Sequence, residues 1–258
     1  MERLKKIIRE KINGDQGYRL LHFMSRNRIA GFLIQLFIGR NLTKLAILNN
    51  TDKFKTGRHE YTKIYQNHFN NLKYKRLNLL EIGVGGYQFP NRGGCSLRMW
   101  KRYFLNGKIY SLDIYDKAPQ EERRIKIFKG SQVDYKFLDS ILEQIDSELD
   151  IIIDDGSHIN EHVIGTFQYL FPKLKPGGIY VIEDTQTSYR QDYGGDDKDL
   201  NSENTMMNLF KKIPDFINYK EFNIRGLEKY SDLKNVETVH FYHNLVFIFK
   251  SKTNHINK

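Results

Sequence analysis

Two short apolar runs in this sequence end in paired acids. Ile151-Ile152-Ile153 leads into Asp154-Asp155-Gly156-Ser157-His158, and Tyr180-Val181-Ile182 leads into Glu183-Asp184. A third run, Leu79-Leu80-Glu81-Ile82, enters a glycine-rich turn, Gly83-Val84-Gly85-Gly86, and a fourth, Ile109-Tyr110-Ser111-Leu112, ends on Asp113. A Gly-x-Gly-Gly turn lets backbone N–H groups approach a ligand closely, because no Cβ stands in the way. An acid about one strand later is placed to bind the two hydroxyls of a ribose. Together these features read as a nucleoside-cofactor site. In an open α/β sheet, ligands sit beyond the carboxyl ends of the strands, so the acids face the same crevice as the glycine turn.

The elements that must hold these residues alternate along the chain. A helix around 60–73 (Tyr61, Ile64, Tyr65, Phe69, Leu72) precedes a strand at 77–82. A helix near 95–105, strands at 108–113 and 124–129, a helix at 134–145 and a strand at 149–154 follow. After His158, residues Val163, Phe167, Leu170, Phe171 and Leu174 fall on one helical face. Lys175-Pro176-Gly177-Gly178 reads as that helix's stop, with a strand at 178–183 after it. Val239-His240-Phe241-Tyr242 and Leu245-Val246-Phe247-Ile248-Phe249, joined by His243-Asn244, read as an antiparallel hairpin at the sheet edge. The fold class is therefore α/β.

Composition narrows the classes. At 258 residues, with 40% hydrophobic and 13% aromatic content, the chain can bury a sizeable core and is not of disordered type. A single cysteine, Cys95, excludes an internal disulfide and fits a reducing compartment. No run of 18 apolar residues or signal-peptide core occurs, and a cytoplasmic location is expected. The net charge of +10 is uneven. Residues 1–50 hold ten Lys or Arg against three Asp or Glu (+7), and the other 208 residues hold thirty-one against twenty-eight (+3). The readings for this basic, helical N-terminal segment are a cap or homo-oligomer arm, or peripheral contact with the inner face of a membrane. Nucleic acid is not an expected partner, because no binding motif accompanies the charge.

Glu81-x-Gly83-x-Gly85-Gly86, Asp113 and the closing hairpin resemble the class I S-adenosylmethionine-dependent methyltransferases. Thr51-Asp52-Lys53, Tyr61 and Tyr65, Asp155-Gly156-Ser157-His158 and Glu183-Asp184 are similar to the macrolide-sugar (mycinamicin type) and rhamnosyl O-methyltransferases. The resemblance covers roughly residues 51–250. It implies a Rossmann-like class I methyltransferase domain over 51–258, with helices on both faces of the sheet, an antiparallel C-terminal hairpin, and residues 1–50 as a helical N-terminal extension.

Carried over position by position, the resemblance implies that Asp155, Glu183 and Asp184 bind one Mg²⁺ and that His158 is the general base. It also implies S-adenosylmethionine as the methyl donor. Glu81, Gly83 and Gly85 would line its amino-acid and ribose portion, Asp113 would take the ribose hydroxyls, and Ser131 and Gln132 would contact the adenine. Asp154 lies near the adenine or the methionine amine, or points into the sheet. Tyr61 closes over the cofactor, or else packs with Tyr65 as an aromatic face. The chemistry is coherent: Mg²⁺ prefers hard oxygen ligands and lowers the pKa of a coordinated hydroxyl. An imidazole with an ordinary pKa of about 6.5 accepts a proton near neutrality. The bland readings are that the acids orient a cofactor amine or cap the next helix, and that His158 is bonded locally at a helix start.

The segment from Thr185 to Glu203 carries Tyr189 and Tyr193, expected to meet a small-molecule or glycan acceptor through a sugar hydroxyl. The alternative for it is a solvated loop. Three other functions compete. His158-x-x-Glu161-His162 matches a zinc-peptidase pattern. The glycine turn with Asp113 also suits a nicotinamide-dependent oxidoreductase, although the G-x-G-x-x-G register is missing. A non-catalytic nucleoside-binding module on the same scaffold is the third.

Overall fold

The computed structural model describes residues 38–55, 59–145, 147–218, 221 and 233–252. Of the segment expected to be helical over 1–50, residues 1–37 lie outside the described residues. The chain divides into two compact units, one from residues 1–76 with 94–108, the other from residues 77–93 with 109–258.

The first unit is built on aromatic packing. Helix α1 (Leu42–Asn49) starts where the Asn41 side chain accepts the Lys44 N–H, and stops at Asn50 in the left-handed conformation. A two-residue antiparallel pair, β1 (Phe54–Lys55) and β2 (His59–Glu60), leads into α2 (Tyr61–Phe69); α3 (Cys95–Tyr103) completes the unit. Tyr65 lies 4.9 Å from Trp100 and Phe69 lies 5.6 Å from Phe104, ring centre to ring centre. These rings are fully buried, and each such tilted or edge-on pair adds about 0.5–1.5 kcal/mol beyond its area.

The second unit carries the sheet. Strands β3 (Arg76–Ile82), β4 (Asn106–Asp113), β5 (Ile125–Lys129), β6 (Leu149–Asp154), β7 (Leu174–Glu183), β8 (Val236–Tyr242) and β9 (Leu245–Lys250) lie in the order β5-β4-β3-β6-β7-β9-β8. The β3–β6, β4–β5 and β6–β7 pairs are parallel, and β9 pairs antiparallel with both β7 and β8. The C-terminal hairpin expected from the sequence is this pair, turning at Asn244 with φ 59°. Side chains on both strand faces are buried, as in Leu79 and Leu80, or Ile151 and Ile152. That is why these strands read as continuous apolar runs.

Helices α4 (Tyr135–Gln144), α5 (Asn160–Leu170), α6 (Met206–Lys211) and α7 (Ile213–Ile217) supply one core with the strand residues Leu80, Ile152, Tyr180 and Val246. Phe167 sits at its centre, 5.0 Å from Phe171, 5.1 Å from Tyr180 and 5.3 Å from Phe210. Truncating it to alanine would cost about 3–5 kcal/mol.

One expectation about this region is corrected. The helical face drawn through Leu174 ends at Leu170, and Leu174 is the first, buried residue of β7. Pro172 explains it: Phe171 still holds helical angles and donates its N–H to the Phe167 carbonyl, but Pro172 has no N–H to carry the helix further. Pro176-Gly177-Gly178 therefore lies inside the strand, opposite a register shift between Leu149 and Ile151.

Candidate active site

Parallel register sets the site. Ile82 pairs with Asp154 and Asp154 with Ile182, so the ends of β3, β6 and β7 are level. The crossing is tied by the Asp155 N–H donating to the Ile82 carbonyl at 3.1 Å, and by the Gly83 N–H donating to the Leu112 carbonyl at 2.9 Å. Carboxylate oxygens of Glu81, Asp155 and Glu183 lie within 4.8 Å of one another. A second group, sharing Asp155, joins it to Asp184 and His158 at the same spacing. His158 Nε2 stands 3.8 Å from Asp155 Oδ1 and 3.7 Å from Asp184 Oδ2.

Two of these residues occupy a costly backbone conformation. His158 has φ 58° and Asp184 has φ 54°, both left-handed and neither a glycine. Each costs on the order of 1–2 kcal/mol relative to an ordinary conformation. Such strain persists where the surrounding structure over-determines it, and it concentrates at functional sites.

Asp154 belongs to a different environment. It is 1% exposed, and burial pushes its carboxyl up to about 7, against the lowering influence of His158, the Gly156 N–H and Gln132. Gln132, also buried, is committed on every side: its amide donates to Thr166 Oγ1 at 3.1 Å and weakly to Asp154 at 3.4 Å, and its oxygen accepts the Ser157 N–H at 2.9 Å. The geometry thus places Gln132 as a brace between β6 and the turn before α5. Ser131 is half-buried and accepts the Val133 N–H.

The glycine turn divides its glycines between two jobs. A Cβ on Gly83, at φ 94°, would stand 2.2 Å from the Asp155 carbonyl oxygen, so glycine there permits the close crossing of β3 and β6. A Cβ on Gly85, at φ 74°, would meet nothing within 4 Å, so its Cα faces open space, while its carbonyl packs against Gly93. Asp113 stands at the end of β4, where one carboxylate oxygen accepts the Val84 N–H at 3.0 Å and the other the Tyr115 N–H at 2.9 Å. Each oxygen keeps a lone pair beyond that bond. Buried Lys117 braces the far arm of the turn, donating to the Phe89 and Arg92 carbonyls at 2.9 and 3.2 Å.

Tyr61 lies in the first unit, buried and 5.1 Å edge-on from His59; Tyr65 packs in the aromatic core. The Thr185–Glu203 segment begins as two 3₁₀ turns, Thr185–Tyr189 and Gln191–Tyr193. Tyr189 is exposed, and the half-buried Tyr193 ring lies 4.8 Å beneath the Arg190 guanidinium.

The donor set suits a hard divalent cation. Oxygens bonded to one octahedral Mg²⁺ at 2.0–2.1 Å lie about 3–4 Å apart, within the spacing of the all-carboxylate group of Glu81, Asp155 and Glu183. It suits zinc less. Among the described residues, His158 and His162 do not share a ligand group, and His162 Nδ1 is paired with Ser157 Oγ at 3.0 Å. The open space at Gly85 likewise fits a cofactor lying over the turn. Glu81, expected at the cofactor, also joins the acids Asp155 and Glu183. A charged residue inside an apolar central strand was the available signal.

No family model matches the chain. It is 43% identical over 196 residues to mycinamicin VI 2''-O-methyltransferase of Micromonospora griseorubida, covering 75% of this chain and 49% of that protein. It is 40% identical over 210 residues to 8-demethyl-8-alpha-L-rhamnosyl tetracenomycin-C 2'-O-methyltransferase of Streptomyces olivaceus, covering 81% and 54%. Among solved structures, MycE methyltransferase from the mycinamycin biosynthetic pathway, in complex with Mg and S-adenosylhomocysteine, superimposes with a TM-score of 0.78. That match is 40% identical over 83% of this chain and 54% of that one. The chain spans about half the length of the curated relatives it matches. It carries the class I S-adenosylmethionine-dependent methyltransferase fold and, over three-quarters of its length or more, resembles the macrolide-sugar and rhamnosyl O-methyltransferases.

Proposed function

We propose that this chain transfers the methyl group of S-adenosylmethionine to a sugar hydroxyl of a glycosylated small molecule, with Mg²⁺ held by Asp155, Glu183 and Asp184. The observation that carries the proposal is that Asp155, at the level ends of two adjacent parallel strands, belongs to two groups at once, one with Glu81 and Glu183 and one with Asp184 and His158. Relatives named as sugar O-methyltransferases, and a similar structure holding Mg and S-adenosylhomocysteine, support it. Bound there, Mg²⁺ supplies Lewis-acid polarisation of the acceptor oxygen.

The chain's own groups do the rest. The open face of Gly85 and the carboxylate of Asp113 bind the cofactor, with Gly83 holding the crossing beneath them. Asp155 and Asp184 orient the His158 imidazole, and its Nε2 takes the hydroxyl proton. General-base assistance of this kind contributes about 10²–10⁴-fold. The Thr185–Glu203 segment, with Tyr189 and Tyr193, borders the acceptor side. Residues 1–50 are assigned as an extension beyond the methyltransferase domain, serving as an assembly arm or a membrane-surface contact.

Calorimetric titration of S-adenosylhomocysteine, with and without Mg²⁺, tests the reading. Micromolar binding, about −8 kcal/mol, is expected. Absence of heat from folded protein in both conditions would overturn it.

A further inference from the structure

The first residue of α5 joins three backbone groups of one segment 27 to 46 residues further along the chain. Asn160 is fully buried. Its Nδ2 donates to the Thr187 carbonyl at 3.1 Å and to the Tyr193 carbonyl at 2.9 Å, and its Oδ1 accepts the Met206 N–H at 2.8 Å. Both amide hydrogens and one oxygen lone pair are thus spent on the segment that runs from β7 to α6. Few side chains could replace it: the site needs two donors and an acceptor on one short planar group, which the Asn amide provides.

We infer that Asn160 is a positioning residue that fixes the acceptor-side segment, from Thr187 to Met206, against the turn bearing His158. The inference rests on the proposed function and adds a determinant of acceptor binding to it. One residue, Ile159, separates His158 from Asn160, so a single short stretch carries both the proton acceptor and the anchor of the acceptor-side segment. The anchored segment is tightly closed on itself. The Gly195 N–H donates to the Arg190 carbonyl at 2.8 Å, and the Asp196 N–H to the Ser188 carbonyl at 2.9 Å. A Cβ on Gly195 would stand 2.4 Å from the Thr187 carbonyl oxygen, the same atom that Asn160 holds. Shifting that oxygen releases the clasp from the other side.

The test compares the full chain with Asn160→Asp, Asn160→Ala and Gly195→Ala. Asn160→Asp keeps an acceptor for the Met206 N–H but loses the paired donors to the two carbonyls. Steady-state methyl transfer to a rhamnosyl glycoside, S-adenosylhomocysteine calorimetry and amide exchange at Met206 are read for each. The expected result is a loss of about 10–100-fold in kcat/KM for the acceptor in all three variants, on the scale of two lost buried hydrogen bonds. S-adenosylhomocysteine affinity should stay within twofold, and Met206 exchange should accelerate in Asn160→Ala only. A uniform loss of cofactor affinity and turnover would overturn the inference, since it would mark a merely structural role; so would unchanged acceptor kinetics in Asn160→Asp. Gly195→Ala decides the matter if the Asn160 variants fail to fold. A wild-type chain that binds S-adenosylhomocysteine but methylates no glycoside overturns the sugar reading instead. Met206 exchange then judges the clasp alone: exchange unchanged in Asn160→Ala would refute it.

Discussion

The turn after β3 and the turns after β6 and β7 solve the same geometric problem with different residues. All three send the chain through left-handed conformations at the sheet's carboxyl end. After β3 they begin with glycines, Gly83, Gly85 and Gly86 with φ of 94°, 74° and 80°, and end on Tyr87 with φ 48°. After β6 and β7 they are His158 and Asp184. Where the backbone itself is the binding group, glycine removes both the strain and the obstruction. Where a side chain is the working group, as proposed for the His158 imidazole and the Asp184 carboxylate, a non-glycine has to keep the strain. Left-handed non-glycines also occur at Asn50, Tyr87, Arg124 and Asn244, at turns and a helix end, so the strain singles out His158 and Asp184 only together with the acids beside them.

The comparison can be broken or sharpened by substitution. Gly83→Ala should have the largest effect. Its Cβ would enter the space of the Asp155 carbonyl oxygen, so we expect a loss of several kcal/mol in urea unfolding together with cofactor binding. Gly85→Ala, which meets open space, should lose only about 1 kcal/mol of stability from its positive φ. Equal effects from both would erase the distinction between packing glycine and binding glycine.

Asp154 gives the next effect, through pH. Its folded pKa of about 7 lies above the ordinary 3.8, so between these values the folded state holds a proton that the unfolded state has lost. Its stabilising contribution is complete below about pH 4 and disappears as pH rises to 7, on the order of a few kcal/mol. In metal-free protein, wild type should lose more stability than Asp154→Asn between pH 4.5 and 7.5. Parallel pH curves would contradict the buried-acid assignment.

His158→Ala should lower turnover by about 10²-fold or more while leaving S-adenosylhomocysteine affinity intact. The smallest effect sharpens the strain argument: Asp184→Gly should raise the melting temperature of metal-free protein, through about 1 kcal/mol of relieved strain, while activity falls. A lowered melting temperature would show that Asp184 contributes packing that outweighs its strain.

Much of the site was legible because its residues sit at the ends of strands, where apolar runs stop abruptly at acids. Ile151–Asp155 and Tyr180–Asp184 needed only that pattern and the rule that ligands bind beyond parallel strand ends. Leu174 is the exception: its apolar spacing continues the helical face past Pro172, yet a proline that cannot donate ends the helix and Leu174 opens a strand. Asn160 was invisible for a different reason. Its role consists of hydrogen bonds to carbonyls 27 and 33 residues away and an amide 46 away, which no local pattern encodes. Gln132, expected against adenine, shows the same limit: its brace spans 22–34 residues.

The central claim is tested most directly by labelled methyl transfer from S-adenosylmethionine to rhamnosyl glycosides, for wild type and His158→Ala, each with and without EDTA. The account predicts transfer by wild type alone, abolished by chelation and restored by Mg²⁺. Transfer that survives EDTA, or that His158→Ala performs at the wild-type rate, would contradict it.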